Sequence, residues 1–211
     1  GGGTLQWVRS LGGPGQDDCL VVATDAGGNC YLVGKFSGTA SFGSTNLTSA
    51  GDTDGFLAKF DGTGQCLWAR RFGGTGHDDC QGLALDLAGN CYVSGLFENT
   101  AQFGSTNLVS AGGRDIFVAK FDNSGVQRWV TQAGGPNTDM GSAIAVDNGG
   151  NCYVTGVYSG SGTFGQTTLQ NGGGWGFFLA RYDTNGDLLW MRQAYGSQNE
   201  FGDGVGVDSA G

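Results

Sequence analysis

The phrase Gly-Asn-Cys-Tyr opens "GNCYLVGKF" at Gly28–Phe36, "GNCYVSGLF" at Gly89–Phe97 and "GNCYVTGVY" at Gly150–Tyr158, a step of 61 residues each time. Four tryptophans keep the same step, Trp7, Trp68, Trp129 and Trp190, as do Asp25, Asp86, Asp147 and Asp208. Phe42, Phe103 and Phe164 recur in "SFGSTNL", "QFGSTNL" and "TFGQTTL", and Phe56, Phe117 and Phe178 repeat beside them. A period held by five landmarks without insertion or deletion means one supersecondary unit built again and again, so its content dictates the fold.

That content is strands and turns. "CQGLALD" and "CYVSGLF" alternate small and apolar residues at the period of a strand, and "DIFVAKFD" and "VQRWVTQ" follow. "AQFGSTNLVS" predicts a small extra hairpin around Gly104–Ser105. The connecting "DGTG", "DNSG" and "DTNG" pair an Asp that can bond the backbone ahead with a Gly that accepts positive φ. No ten-residue helical pattern with a cap is present. The 44 glycines against two prolines, with 38% hydrophobic and 11% aromatic residues, fit short strands on tight turns rather than a disordered chain. The expected fold class is all-β, a β-propeller-like tandem repeat of four-stranded blades, about three and a half of them in this chain. "GLALD", "SAIAVD" and "GVGVD" are small enough for the crowded strand nearest a central axis, and the tryptophan strand is expected outside. The chain reads as one repeat domain, 1–211, with a part repeat 1–27 and repeats 28–88, 89–149 and 150–210. Trp7 and Phe201–Asp208 are expected in strands whose partners lie beyond the chain, which suggests a segment of a larger propeller with open edges that recruit further chain or further copies.

The pattern of "GNCYVTG", then "FG", then "DIFVAKFD" and "RW", resembles the SBBP-type β-propeller repeat of large bacterial secreted and surface proteins. The resemblance covers essentially the whole chain. It implies a propeller used as a structural or binding module, and the family carries no defined catalytic motif. The leading expectation is a non-enzymatic module of an extracellular or cell-surface bacterial protein with protein or glycan partners. Alternative readings are a polysaccharide-active hydrolase or lyase, and a calcium-stabilised adhesion module.

Candidate chemistry is thin. Cys30, Cys91 and Cys152 begin the second strand of successive units, and Cys19 and Cys80 begin the first, where later units carry Gly141 and Gly202. No two cysteines lie closer than eleven residues, so paired zinc spacing is missing. A Cys19–Cys30 bridge is disfavoured because Cys30 falls opposite Ala23 or Thr24, leaving Cys19 more than ~13 Å off at the strand rise. The thiols are expected to be buried, or to bridge blades. Asp17, Asp78, Asp139 and Glu200 share one repeat position, and with Asp52 and Asp54 of "GDTDG" they are the weak Ca²⁺ candidates. The full calcium-loop pattern is absent, and acids bracing loops are the simpler expectation. His77, the single histidine, has no counterpart in other units and no nucleophile motif beside it. Lys59, Lys120 and Arg181, each followed by an aromatic and an Asp, predict ion pairs at strand ends or between blades. Trp175 in "GGGWG" is the candidate exposed contact on a glycine-rich loop, and the repeated tryptophans are expected to be buried between blades. A net charge of −9, from 19 acids and 10 bases spread along the chain, argues against nucleic acid. No apolar run approaches the ~18 residues of a membrane span.

Overall fold

A computed structural model describes residues 3–196 and 198–208; the expected domain limits at 1–2 and 209–211 lie outside them. Every element is a strand, and antiparallel pairing gathers them into three four-stranded units. The first comprises β1 (Asp17–Thr24), β2 (Cys30–Phe36), β5 (Asp54–Phe60) and β6 (Cys66–Gly74), with a small hairpin β3 (Thr39–Ser41) and β4 (Asn46–Thr48). The second is β7 (Asp79–Leu85), β8 (Cys91–Phe103), β9 (Thr106–Phe121) and β10 (Gln127–Gly134). The third is β11 (Met140–Val146), β12 (Cys152–Phe164), β13 (Thr167–Tyr182) and β14 (Leu188–Ala194).

Each sheet starts one strand before its Gly-Asn-Cys-Tyr phrase, which opens the second strand. Two expectations change. In the second and third units the extra hairpin is the outward continuation of the two middle strands, joined at Phe103↔Thr106 and Phe164↔Thr167. The segments holding Trp7 and Phe201–Asp208 form no strand; the first makes a single bridge, from Gly12 to Ser41 of β3.

All six turns inside the units are built alike. At the third-to-fourth turns, Asp61 accepts the backbone N–H of Thr63 and Gln65 on one carboxylate oxygen, Asp122 those of Ser124 and Val126, and Asp183 those of Asn185 and Asp187. At the first-to-second turns Asp25, Asp86 and Asp147 do the same, and Asn29, Asn90 and Asn151 add a side-chain bond to the other oxygen. The Asn of the recurring phrase therefore locks the turn that precedes the second strand.

The cores lie between sheets. Tyr31, Val33 and Leu57 of the first sheet pack on Cys91, Val93, Phe117 and Ala119 of the second. Tyr92, Ile116 and Val118 of the second pack on Cys152, Val154, Phe178 and Ala180 of the third. The first strands converge, β1 against β7 and β7 against β11, and their small residues permit it: a methyl on Gly82 would sit 3.0 Å from the backbone nitrogen of Ile144. Each outgoing strand also bonds the next sheet's outer hairpin, Gly73–Gly74 to Ala101–Gln102 and Ala133–Gly134 to Thr163–Phe164.

The tryptophans are partly buried rather than enclosed, because each works as a staple at the sheet rim. Trp7 Nε1 donates to the carbonyl of Gly62, Trp68 to Asn123 and Trp129 to Thr184, at 3.1, 3.1 and 2.9 Å. The acceptor is always the third-to-fourth turn of the following sheet. A bulge just before Trp68, Trp129 and Trp190 re-aims the strand there. The indole rings lie on the turn glycine, where a methyl on Gly125 would fall 2.9 Å from Trp68 at a backbone φ of +76°. Gly125→Ala is thus expected to cost about 2–4 kcal/mol, since clash adds to the left-handed penalty. Gly28→Ala, at φ +79° with open space around the methyl, should cost only about 1–2 kcal/mol. Urea unfolding of the two variants checks the ranking.

Candidate functional site

The described cysteines are six free thiols, four of them buried, and none is bridged. The register explains the Cys19–Cys30 pair: Cys30 faces Thr24 and Cys19 faces Gly34. Cys91 and Cys152 lie in the two inter-sheet cores, where burial raises both thiols to about 12. Cys80 is enclosed as well, and burial pushes its thiol well up. Cys30 is half-buried and Cys19 exposed. Identical repeat positions thus have different environments, and the difference is systematic. Val22 is 60% exposed, while its counterparts Leu83 and Ile144 are 8% and 7% exposed. Leu32 is partly buried, whereas Val93 and Val154 are fully covered.

The positions Cys19, Val22, Cys30 and Leu32 form the face of the first sheet that corresponds, in the second and third sheets, to the face covered by the preceding sheet. It carries an apolar cavity of about 190 Å³ with Trp7, Val22, Cys30, Leu32 and Phe60 in its wall. The segment before β1 covers part of this face: Trp7 and Arg9 reach the turn at Gly62 and Gly64, and Leu11 packs on the phenylalanine cluster of the sheet. The opposite face of the third sheet carries Tyr153 and Thr155, both buried, and Leu179 and Trp190, both half-buried. Here Gly202 lies against Thr155 and Gly156 as Gly141 lies against Gly95. Among the described residues Trp190 Nε1 finds no carbonyl to staple.

The repeated cations mark the same junctions. Lys59 lies 4.9 Å over the ring of Tyr31, 4.0 Å from Asp25, and bonds Asn123 of the next sheet; Tyr31 donates to Asn123 at 3.1 Å. Lys120 stacks on Tyr92, whose hydroxyl donates to the Gly150 carbonyl, and Arg181 stacks on Tyr153 and pairs with Asp147 at 3.1 Å.

The calcium candidates do not converge on an ion. Asp78 accepts from the backbone of Gly74 and Glu98, and Asp139 from Gly135 and Ser159. Asp17 accepts from Gly13. Asp54 lies buried at the start of β5 and pairs with Arg71, and Asp52 lies outside any strand. Glu200 donates its backbone N–H to the Trp175 carbonyl. Among the described residues no three Asp, Glu, His or Cys side chains gather as metal ligands. Trp175 sits inside β13 opposite Ser159, half-buried, rather than on a loop, because the glycine run continues the long hairpin. His77 is half-buried, its Nδ1 2.7 Å from Thr53 Oγ1, and burial lowers its pKa.

Sequence reading missed the pairing of Asp54 with Asp78 and of Asp115 with Asp139. A methyl on Gly73 would lie 2.7 Å from Asp78 Oδ2 and 2.9 Å from Asp54 Cγ; one on Gly134 would lie 2.8 Å from Asp115 Oδ1 and 3.0 Å from Asp139 Oδ2. Burial raises Asp78 and Asp139 to about 7 and Asp115 to about 6, against backbone hydrogen bonds that pull each down. A carboxyl whose folded pKa exceeds its unfolded value binds more protons when folded, so its contribution is largest below the unfolded pKa and is lost as pH rises through the folded one. Between pH 5 and pH 8 the melting temperature is therefore expected to fall, and Asp139→Asn to flatten that slope. Calorimetry across the interval checks both.

Residues 128–157, which hold Trp129 and the third Gly-Asn-Cys-Tyr phrase, match the family model described as SBBP, beta-propeller repeat. The chain is 31% identical over 173 residues to Regulatory protein FlaEY of Caulobacter vibrioides, across 78% of this chain and 18% of that protein. It is 22% identical over 230 residues to an uncharacterized WD repeat-containing protein, L264, of Acanthamoeba polyphaga mimivirus, across 89% of this chain and 16% of that protein. The chain spans less than a fifth of the length of either relative. Residues 128–157 are thus matched as an SBBP beta-propeller repeat, and they lie in a chain of antiparallel four-stranded units.

Proposed function

We propose that this chain is a non-enzymatic structural and binding module of an extracellular or cell-surface bacterial protein, and that it binds through the open face of its first sheet. The occupant is the opposite face of another sheet of the same repeat, including that of a second copy. One observation carries the reading: Val22 and Cys19 are exposed and Cys30 and Leu32 half-buried, while the same positions in the second and third sheets are covered by a preceding sheet. Within the chain, that covering includes a tyrosine, a cation and a tryptophan of the preceding sheet, and the third sheet carries the same set as Tyr153, which is buried, and Arg181 and Trp190, which are half-buried. The contact is head-to-tail, joining two different surfaces.

Sedimentation velocity across a concentration series tests the self-contact. Association is expected in the parent chain and should be lost in Val22→Asp with the melting temperature within a few degrees of the parent. A chain that stays monomeric throughout the series, or a Val22→Asp variant that associates unchanged, would overturn this occupant.

Maleimide labelling gives an independent reading of the same face. Cys19 is expected to react first and Cys30 more slowly, with Cys80, Cys91 and Cys152 reacting only on unfolding; association should protect Cys19. Mass spectrometry of the labelled sites checks the order.

A further inference from the structure

The repeat supplies its own comparison at the junction between sheets. At the first junction Asp54, buried at the start of β5, receives the guanidinium of Arg71, donated from Nη1 to Oδ2. Arg71 stands opposite Phe56 in the β5–β6 ladder, and at the next junction Gln132 stands opposite Phe117 in the same way. The acid is retained there as Asp115, but the cation is not. Gln132 turns away and donates to the Val109 carbonyl at 3.1 Å.

The third unit removes both charges. Gly176 replaces the acid, Gln193 the cation, and Tyr158 the phenylalanine found at Phe36 and Phe97. The Tyr158 hydroxyl comes within 3.0 Å of where a Gly176 methyl would be, and donates to Gln193 Oε1 at 2.7 Å. One repeat position therefore has an internal ion pair in the first unit and a neutral hydrogen bond in the third. The second keeps a buried acid without either.

Asp115 is 1% exposed. Its Oδ2 accepts from the Ala111 backbone at 3.0 Å, and Oδ1 has no hydrogen-bond partner among the described residues. That oxygen points to the same place as Asp139 Oδ2, beside Gly134. Next to it opens a cavity of about 390 Å³ whose wall includes Asp115, Gln132, Gly134, Ser161 and Thr163. Two carboxyls at one spot, one with an unpartnered buried oxygen, call for a donor that carries positive charge, because leaving such an oxygen unmatched costs more than an ordinary hydrogen bond contributes. A planar guanidinium suits the demand: it offers several N–H donors in a fixed fork and loses less on dehydration than an ammonium.

We propose that the cavity beside Asp115 binds a guanidinium group, which fills at the second junction the place that the Arg71 side chain fills at the first. The same chemistry is offered by a small free guanidinium compound and by an arginine of a peptide. The site is separate from the open face of the first sheet and stands whether or not that face binds another sheet.

Titration calorimetry at pH 8 and low salt, with agmatine in one arm and a capped Gly-Gly-Arg-Gly-Gly peptide in the other, tests the assignment. Saturable binding is expected in at least one arm. Binding in the peptide arm alone assigns the site to an arginine in a chain; binding of agmatine shows that the head group suffices. Asp115→Asn, which keeps shape and removes charge, should weaken binding by about tenfold or more. Gln132→Arg rebuilds the pair of the first junction in place, and should abolish binding while raising the melting temperature at pH 8. No saturable binding in either arm, or binding that persists unchanged in both variants, overturns the proposal.

Discussion

The contact on which the rest depends is the tryptophan staple, and its decisive property is direction. Trp7, Trp68 and Trp129 reach forward to a turn in the following sheet, and the turn glycine is both the acceptor's neighbour and the floor under the indole. Tyr31 and Tyr92 reach the same way. Every sheet therefore has a giving face and a receiving face that differ in shape and chemistry. Such a pair of faces cannot be satisfied by a two-fold dimer of like surfaces; it is satisfied only by adding sheets in one order. Because the apolar cores also lie between sheets, stability is earned mostly at the junctions, as in a one-dimensional array.

This explains why the junction residues vary more than the turns. An Asp turn is local: its carboxylate finds its donors within four residues, so all six turns can be alike. At a junction, two sheets must agree about volume and charge. Cys80, Gly141 and Gly202 at one position, and Arg71, Gln132 and Gln193 at another, are different agreements within the same backbone frame. A buried carboxyl is tolerated wherever backbone N–H groups meet it, although burial still raises its pKa.

The period, the strand class and the turn chemistry were legible in sequence because each is a local or periodic signal. Asp61 to Gln65 spans one turn, and Tyr31 and Val33 share a face by alternation alone. The junction acids were not legible, since Asp54 and Asp78 meet only after the outermost strand has left one sheet for the next. A faint signal was nevertheless present. Tyr158 replaces a phenylalanine in the unit where Gly176 replaces an aspartate, and such paired departures from a repeat mark residues that share space. Trp175 misled because a glycine run reads as a loop, whereas here it lets a long hairpin continue past Asn171 to the sheet.

The open face and the acid cavity follow from the same logic. In a repeat, an exposed position is informative only against its own copies: Val22 at the surface would be ordinary in any other protein, but Leu83 and Ile144 show what its place normally meets. Likewise a lone buried aspartate could be a structural residue, until Arg71 shows what a neighbouring copy places beside it. A chain that repeats its architecture holds fixed the backbone around every substitution, so its copies act as variants of one another. Function in such a fold is written in the departures, at residues where one copy declines a contact that its neighbours make.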